Sequence, residues 1–259
     1  MKVYPSSNLK GTITNLTTNM YIESGDTDKA IESLNTSSSN TDDVAVKETN
    51  TTKIITLKLQ KKDYKDIEKY IAELPTEDER AYYSAQYYAA KKDSKAIKEY
   101  EKLLQSEKYK AYASKGLGDY YFDNKDLSKA KKYYGTYVDI NKNPDEYILY
   151  RLGQANEKEN NLKMALTDYK AVYSKNGKLA NDAMLRAAEI YDKQENVAEA
   201  EKLFTKLYAV KNNKDLKAYS IEKLIYYKLV KNNTKEAKKL YDELKKLDAK
   251  RAEKFKAYF

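Results

Sequence analysis

An alanine that returns at a near-constant interval constrains this chain more than any other feature. Asp126-Leu127-Ser128-Lys129-Ala130 is followed four residues on by Tyr134, Asn161-Leu162-Lys163-Met164-Ala165 by Tyr169, and Asn196-Val197-Ala198-Glu199-Ala200 by Phe204. In each copy a polar turn leads into a helix whose alanine and aromatic share one face. The three alanines lie 35 residues apart. The series continues with Ala96 and Tyr100 and with Ala237 and Tyr241, and in weaker form with Ile67 and Ile71 and with Ala30 and Leu34. Seven anchors, at 30, 67, 96, 130, 165, 200 and 237, are spaced by 37, 29, 34, 35, 35 and 37 residues.

A second helix precedes each anchor. Twelve residues upstream stands a small residue in the central copies, Ser84, Gly118, Gly153 and Ala188, and nine upstream a tyrosine in most, Tyr21, Tyr87, Tyr121 and Tyr191. Antiparallel helices joined by a short turn approach closely only where a side chain is missing, and a large ring then fills the neighbouring gap. Seven glycines and three prolines in 259 residues leave few helix breakers. Strand-forming Thr, Ile and Val concentrate only at residues 12–18 and 49–56, with no hairpin turn to pair them. These patterns predict an all-α solenoid of about seven helix–turn–helix units.

Leu117-Gly118-x-x-Tyr121, Ala130 and Tyr134 resemble the tetratricopeptide signature; Leu152-Gly153, Ala165 and Tyr169 repeat it, with Asn156 in place of the tyrosine. Pro144 resembles the proline that closes a repeat in that family, whereas the family's tryptophan is absent throughout. The likeness is good from residue 77 to 247 and poor before residue 76. Pentatricopeptide and Sel1-type arrays share the architecture and stay open as alternatives. The resemblance implies a right-handed superhelix with a groove lined by the first helix of each pair. Residues 1–75 then hold degenerate repeats with a polar loop near 35–43, residues 76–247 a regular array, and residues 248–259 the end of a C-terminal capping helix. Leu240, Leu244, Leu247 and Phe255 mark one stripe of that long final helix, and terminal repeats are expected to offer a polar outer face.

The chain has no cysteine and no histidine. Disulfides, thiolate nucleophiles and the usual zinc sites are thereby excluded, as is the one side chain that titrates near neutrality. No phosphate loop, dinucleotide fingerprint or nucleophile elbow is present, and the carboxylate pair Asp119 and Asp123 has no partner acid in a contrasting environment. No enzyme activity, cofactor or metal is expected. No run approaches the ~20 apolar residues of a membrane span, and residues 1–8 lack an apolar signal core. The expected setting is the cytoplasm or, with the leader absent from this sequence, the periplasm or cell envelope.

Counting along each first helix places Tyr88, Lys115, Asp119, Phe122, Tyr147 and Tyr150 on the groove, followed by Gln154, Glu157, Arg186, Glu189 and Tyr226. Aromatic rings among scattered charges suit a protein or peptide partner. A clamp for a C-terminal carboxylate, which the family also implies, does not fit. Lys115, Arg151 and Arg186 are basic, but Asp119 stands where that clamp needs asparagine. Residues 205–259 carry 16 basic and 7 acidic side chains, while residues 1–204 are balanced. Lys238, Lys239, Lys245, Lys246, Lys250 and Arg251 therefore form a candidate patch for an acidic partner or anionic surface. With four arginines against 45 lysines, specific nucleic-acid readout is not expected. The reading is a non-enzymatic scaffold or adaptor that binds a peptide or protein in the groove, in bacterial cell-envelope assembly. The alternatives are a peptide-sensing regulatory module and the repeat portion of a larger enzyme.

Overall fold

The polar turn before each anchor is one local device repeated along the chain. In six copies the residue five before the anchor adopts a left-handed φ, at Gly25, Lys62, Lys125, Asn160, Glu195 and Asn232. It closes the preceding helix with a backbone bond from the next N–H to the carbonyl five residues back, as from Asp126 to Tyr121 (2.9 Å) and from Asn196 to Tyr191 (2.9 Å). That next residue, Asp26, Asp126, Asn196 or Asn233, then caps the second helix by accepting from the backbone N–H three residues on. The tyrosine nine before the anchor thus supplies the carbonyl that this closing bond uses.

A computed structural model of the chain describes residues 6–259, with side chains from residue 13 onward; the reading of residues 1–5 lies outside them. The helices are α1 (Ser6–Glu23), α2 (Thr27–Ser39), α3 (Val44–Lys61), α4 (Ile67–Ala72), α5 (Glu77–Ala90), α6 (Lys95–Lys102), α7 (Lys110–Asp123), α8 (Leu127–Ile140), α9 (Glu146–Lys158), α10 (Leu162–Ser174), α11 (Ala180–Lys193), α12 (Val197–Tyr208), α13 (Lys214–Val230), α14 (Thr234–Leu247) and α15 (Ala249–Ala252). No strand occurs among the described residues. The chain divides into two units, residues up to Tyr120 and residues from Tyr121 onward. In each, consecutive helices pack in pairs: α1 on α2, α2 on α3 and α5 on α6 in the first; α9 on α10, α10 on α11, α11 on α12 and α13 on α14 in the second. The fold is an all-α helical repeat.

All seven anchors are buried, each 0% exposed, and the residue four further on is never more than 8% exposed. The small residues upstream admit the rings. A Cβ placed on Gly153 would stand 2.8 Å from the ring of Tyr169. In α7 the close approach falls on Gly116, against the ring of Tyr100 from the preceding repeat, while Gly118 is buried. Asn156, where the tyrosine is missing, is buried and donates to Asp168 (2.8 Å).

Two expectations about the ends are corrected. Residues 35–39 are not a loop: α2 runs through them, and only residues 40–43 break the chain. Low helix propensity is overridden because Ala30 and Leu34 are buried and the polar side chains find partners. Asn35 accepts from Tyr70 (3.3 Å), and Ser38 accepts from Asn50 (3.1 Å). The terminal cap is not one long helix either. Asp248 is extended (φ −151°, ψ 90°) and caps a new turn by accepting from the Arg251 N–H. The chain there folds back, so that Ala252, Phe255 and Phe259 pack on Tyr241, Leu244 and their neighbours.

Two predictions follow from this packing. Tyr169 is fully buried and its hydroxyl is held by Glu157, so Gly153→Ala should destabilise by about 1–3 kcal/mol. Gly135→Ala, where nothing lies within 4 Å of an added Cβ, should instead stabilise by about 0.5–1 kcal/mol; paired denaturant titrations check the contrast. Burial pushes the Asp168 carboxyl up to about 6, against the opposing hydrogen bond from Asn156. A carboxyl raised on folding contributes stability below its unfolded pKa and loses it as pH rises through the folded value. Asp168→Asn should therefore stabilise by about 1–3 kcal/mol at pH 7 and much less at pH 4, measured by urea unfolding at both pH values.

Candidate functional site

The first helices of the second unit, α9, α11 and α13, carry most of the predicted groove residues, and the structure joins them into a ladder of ion pairs. Arg151 is held between two rings, its guanidinium 4.3 Å from the centroid of Phe122 and 5.0 Å from that of Tyr147, and its Nη1 meets Asp123 at 2.7 Å. Glu157 accepts from the Tyr169 hydroxyl (2.8 Å) and faces the guanidinium of Arg186 (3.3 Å), which also reaches Glu189 (3.3 Å). The Tyr219 hydroxyl donates to Glu189 at 3.3 Å. Asp192 pairs with Lys223 (2.6 Å) and accepts from the Tyr227 hydroxyl. Glu222 takes Arg251 (2.7 Å) and Lys254, with Arg251 also over the ring of Tyr219 (5.6 Å).

Electrostatics follow the pairing. Burial works against ionising Asp192, yet the hydrogen bonds from Lys223 and Tyr227 hold its carboxyl below the ordinary value. Glu222 behaves in the same way, with Lys254 and Arg251 outweighing burial. The phenol of Tyr227 is pushed up by burial and by the carboxylate it bonds.

The rungs Asp123–Arg151, Glu157–Arg186, Asp192–Lys223 and Glu222–Arg251 are spaced by 28, 29, 31 and 29 residues. Each joins an acid on one first helix, or at its end, to a base on the next repeat or, for Glu222, on the folded-back turn after α14. Sequence counting along single helices had no access to this register and left Asp192, Tyr219, Glu222 and Lys223 off the groove. The available signal was an acid answered by a base about 30 residues on.

The remaining candidates are placed differently. Tyr150 is half-buried against Tyr169 (5.6 Å) and packs on the core, so it acts in packing. Gln154 is half-buried beside it on α9. In the first unit Lys115 and Asp119 pair along α7 (3.1 Å). Tyr88 lines a separate cavity of about 500 Å³ with Glu68, Arg80 and Glu99. Tyr226 is 56% exposed and, with Val230, also 56% exposed, stands at a cleft of about 690 Å³. Asp192, Lys223, Val197 and Phe255 also line that cleft, together with the exposed Lys193 and Glu195.

The basic residues of the C-terminal segment divide in two. Arg251 is turned into the ladder, Lys238 lies over Tyr241 (4.8 Å) beside Asp242, and Lys239 reaches Glu236. Lys245, Lys246 and Lys250 are exposed. Among the described residues no group of three or more acidic side chains is placed to hold a metal ion, and no helix is long and apolar enough to cross a membrane.

Two family models, both described as tetratricopeptide repeat, match residues 116–144 and 150–215. No curated protein sequence matches the chain. Among solved structures, the C-terminal part of a TPR repeat-containing protein from Cytophaga hutchinsonii superposes with a TM-score of 0.70 at 18% identity, covering 91% of this chain and 96% of that one. A tetratricopeptide repeat protein from Parabacteroides merdae gives 0.55 at 13% identity over 93% and 94% of the two chains. PilF from Pseudomonas aeruginosa gives 0.54 at 15% over 82% and 97%. At these identities the structures share the fold, and the repeats carry the assignment. With its anchored helix pairs buried and its central copies matched by the family's own models, the chain carries tetratricopeptide repeats.

Proposed function

We propose that the chain is a non-enzymatic protein-interaction scaffold that receives a peptide or protein segment at the Tyr226–Val230 cleft of its second unit. The supporting observation is that cleft itself. Two large apolar side chains stand more than half exposed at its mouth, while the neighbouring charges Asp192, Lys223 and Glu222 are held by partners. Charges already fixed in pairs lose little freedom when a partner arrives, and an exposed aromatic supplies the area that anchors it. The reading extends to bacterial cell-envelope assembly. An export signal or lipid-accepting cysteine encoded with this chain is the observation to seek.

Peptides selected from a random display library on the immobilised full chain should lose at least about tenfold in affinity on Tyr226→Ser/Val230→Ser, with the melting curve unchanged. Selected peptides that bind both proteins equally would refute the cleft. A second contact, for an acidic segment, is favoured by the exposure of Lys245, Lys246 and Lys250. Binding of a poly-glutamate peptide should weaken several-fold between low and physiological salt and on Lys245→Gln/Lys246→Gln/Lys250→Gln. Salt-insensitive binding would rule it out.

A further inference from the structure

The repeats anchored at Ala165, Ala200 and Ala237 bury a fixed set of first-helix positions against the repeat before them. Seventeen residues before the anchor stand Ile148 and Ala183, each 0% exposed, and ten before it stand Ala155, Ile190 and Tyr227, none above 1% exposed. Their cover is the preceding second helix. Ile148 clusters with Ala130 and Tyr134, and Ala183 and Ile190 with Ala165 and Tyr169. The interface is therefore a first-helix stripe laid over an alanine and the aromatic four residues after it.

The first repeat has the same stripe, and none of the described residues covers it. Counting from Ala30, the two positions are Ile13 and Met20, exposed by 55% and 68%, with Leu16 beside them at 59%. The orientation of α1 is set from its other side. Thr18 is buried against Ser33 (2.9 Å), and Tyr21 packs with Ala30 and Leu34. Between residues 11 and 22 there is no charged side chain. An uncovered repeat face is ordinarily polar. At the other terminus the last second helix, α14, is covered by the chain's own folded-back residues.

We infer that the Ile13–Leu16–Met20 face of α1 is a docking surface for an amphipathic helix of another polypeptide. The helix it fits carries a small residue followed four positions later by an aromatic, uncharged along the contact line, as α8 presents to α9. The argument is continuity of the inter-repeat interface. The same positions take the same kind of helix in every copy for which the packing is described above, and the absence of charge between residues 11 and 22 imposes no penalty on burying them. The helix-in-groove mode of recognition uses this spacing of anchors.

The test uses the full chain and a fluorescein-labelled peptide of residues 126–141 of this protein, which contains Ala130 and Tyr134 in their native spacing. Saturable binding with a Kd below about 1 mM is expected. It should weaken at least about tenfold with Ile13→Asp/Met20→Asp, and with a peptide carrying Ala130→Glu. Because both protein substitutions lie on exposed positions, circular dichroism and the melting temperature should stay unchanged, which separates lost docking from lost folding. No saturation at millimolar peptide, or binding indifferent to the α1 substitutions, would overturn the inference. So would light scattering showing a dimer that the same substitutions dissociate, because a second copy would then be the occupant.

Discussion

The contact on which the rest of the structure depends is the fully buried anchor at the start of each second helix, an alanine in all copies but that of Ile67, with the bulky side chain one turn beyond it. Alanine at that point lets the two helices of a pair meet at backbone distance, and the ring of Tyr134, Tyr169 or Phe204 then fills the space to the next helix. Neither residue works without the other, since a larger anchor would part the helices and a smaller ring would leave a void. Because the contact recurs once per repeat, stability is distributed along the chain, and each pair is supported chiefly by its neighbours.

Upon that packed frame the first-helix face is organised by charge. Each rung of the ladder links two successive repeats or, at Glu222, the last repeat and the folded-back turn, so its geometry is dictated by how one element stacks on the next. The half-buried acids Asp192 and Glu222 stay ionised because lysine and arginine from the following repeat or turn reach them. Exposed ion pairs contribute little, but these are partly shielded and share rings and hydroxyls, which favours a fixed arrangement over a mobile one. The consequence for function is that most charge on this face is already committed to the protein itself.

What the sequence made legible was whatever depended on local spacing. Ala130, Ala165 and Ala200 identify the repeat because burial of a small residue at a fixed phase leaves a direct trace in the order of residues. Asp126, Asn196 and Asn233 likewise mark the turns by their capping role. The ladder was not legible, since Glu157 and Arg186 meet only once the stacking register is known. Tyr150 looked like a groove residue because helical phase alone does not separate a ring facing solvent from one leaning on Tyr169. The run ending at Ser39 was misjudged through its composition: serine and asparagine are poor helix formers in isolation, yet the packing of Leu34 outweighs propensity over one turn. At the C-terminus the apolar stripe continues in phase past Asp248, and only the capping preference of that aspartate signals the break.

These two levels of order explain why recognition would fall on apolar side chains. A partner that competed for the ladder would have to displace an internal ion from its counter-ion and leave the other half-buried without compensation, which costs more than a new pair of similar geometry returns. Tyr226 and Val230 impose no such cost: they already face water beside fixed charges, and covering them gains the hydrophobic contribution outright. Ile13 and Met20 stand in the same position on α1, where the chain presents the face that its interior repeats keep covered. Specificity at either place would come from shape and from the surrounding charges, with affinity supplied by the exposed aliphatic and aromatic groups.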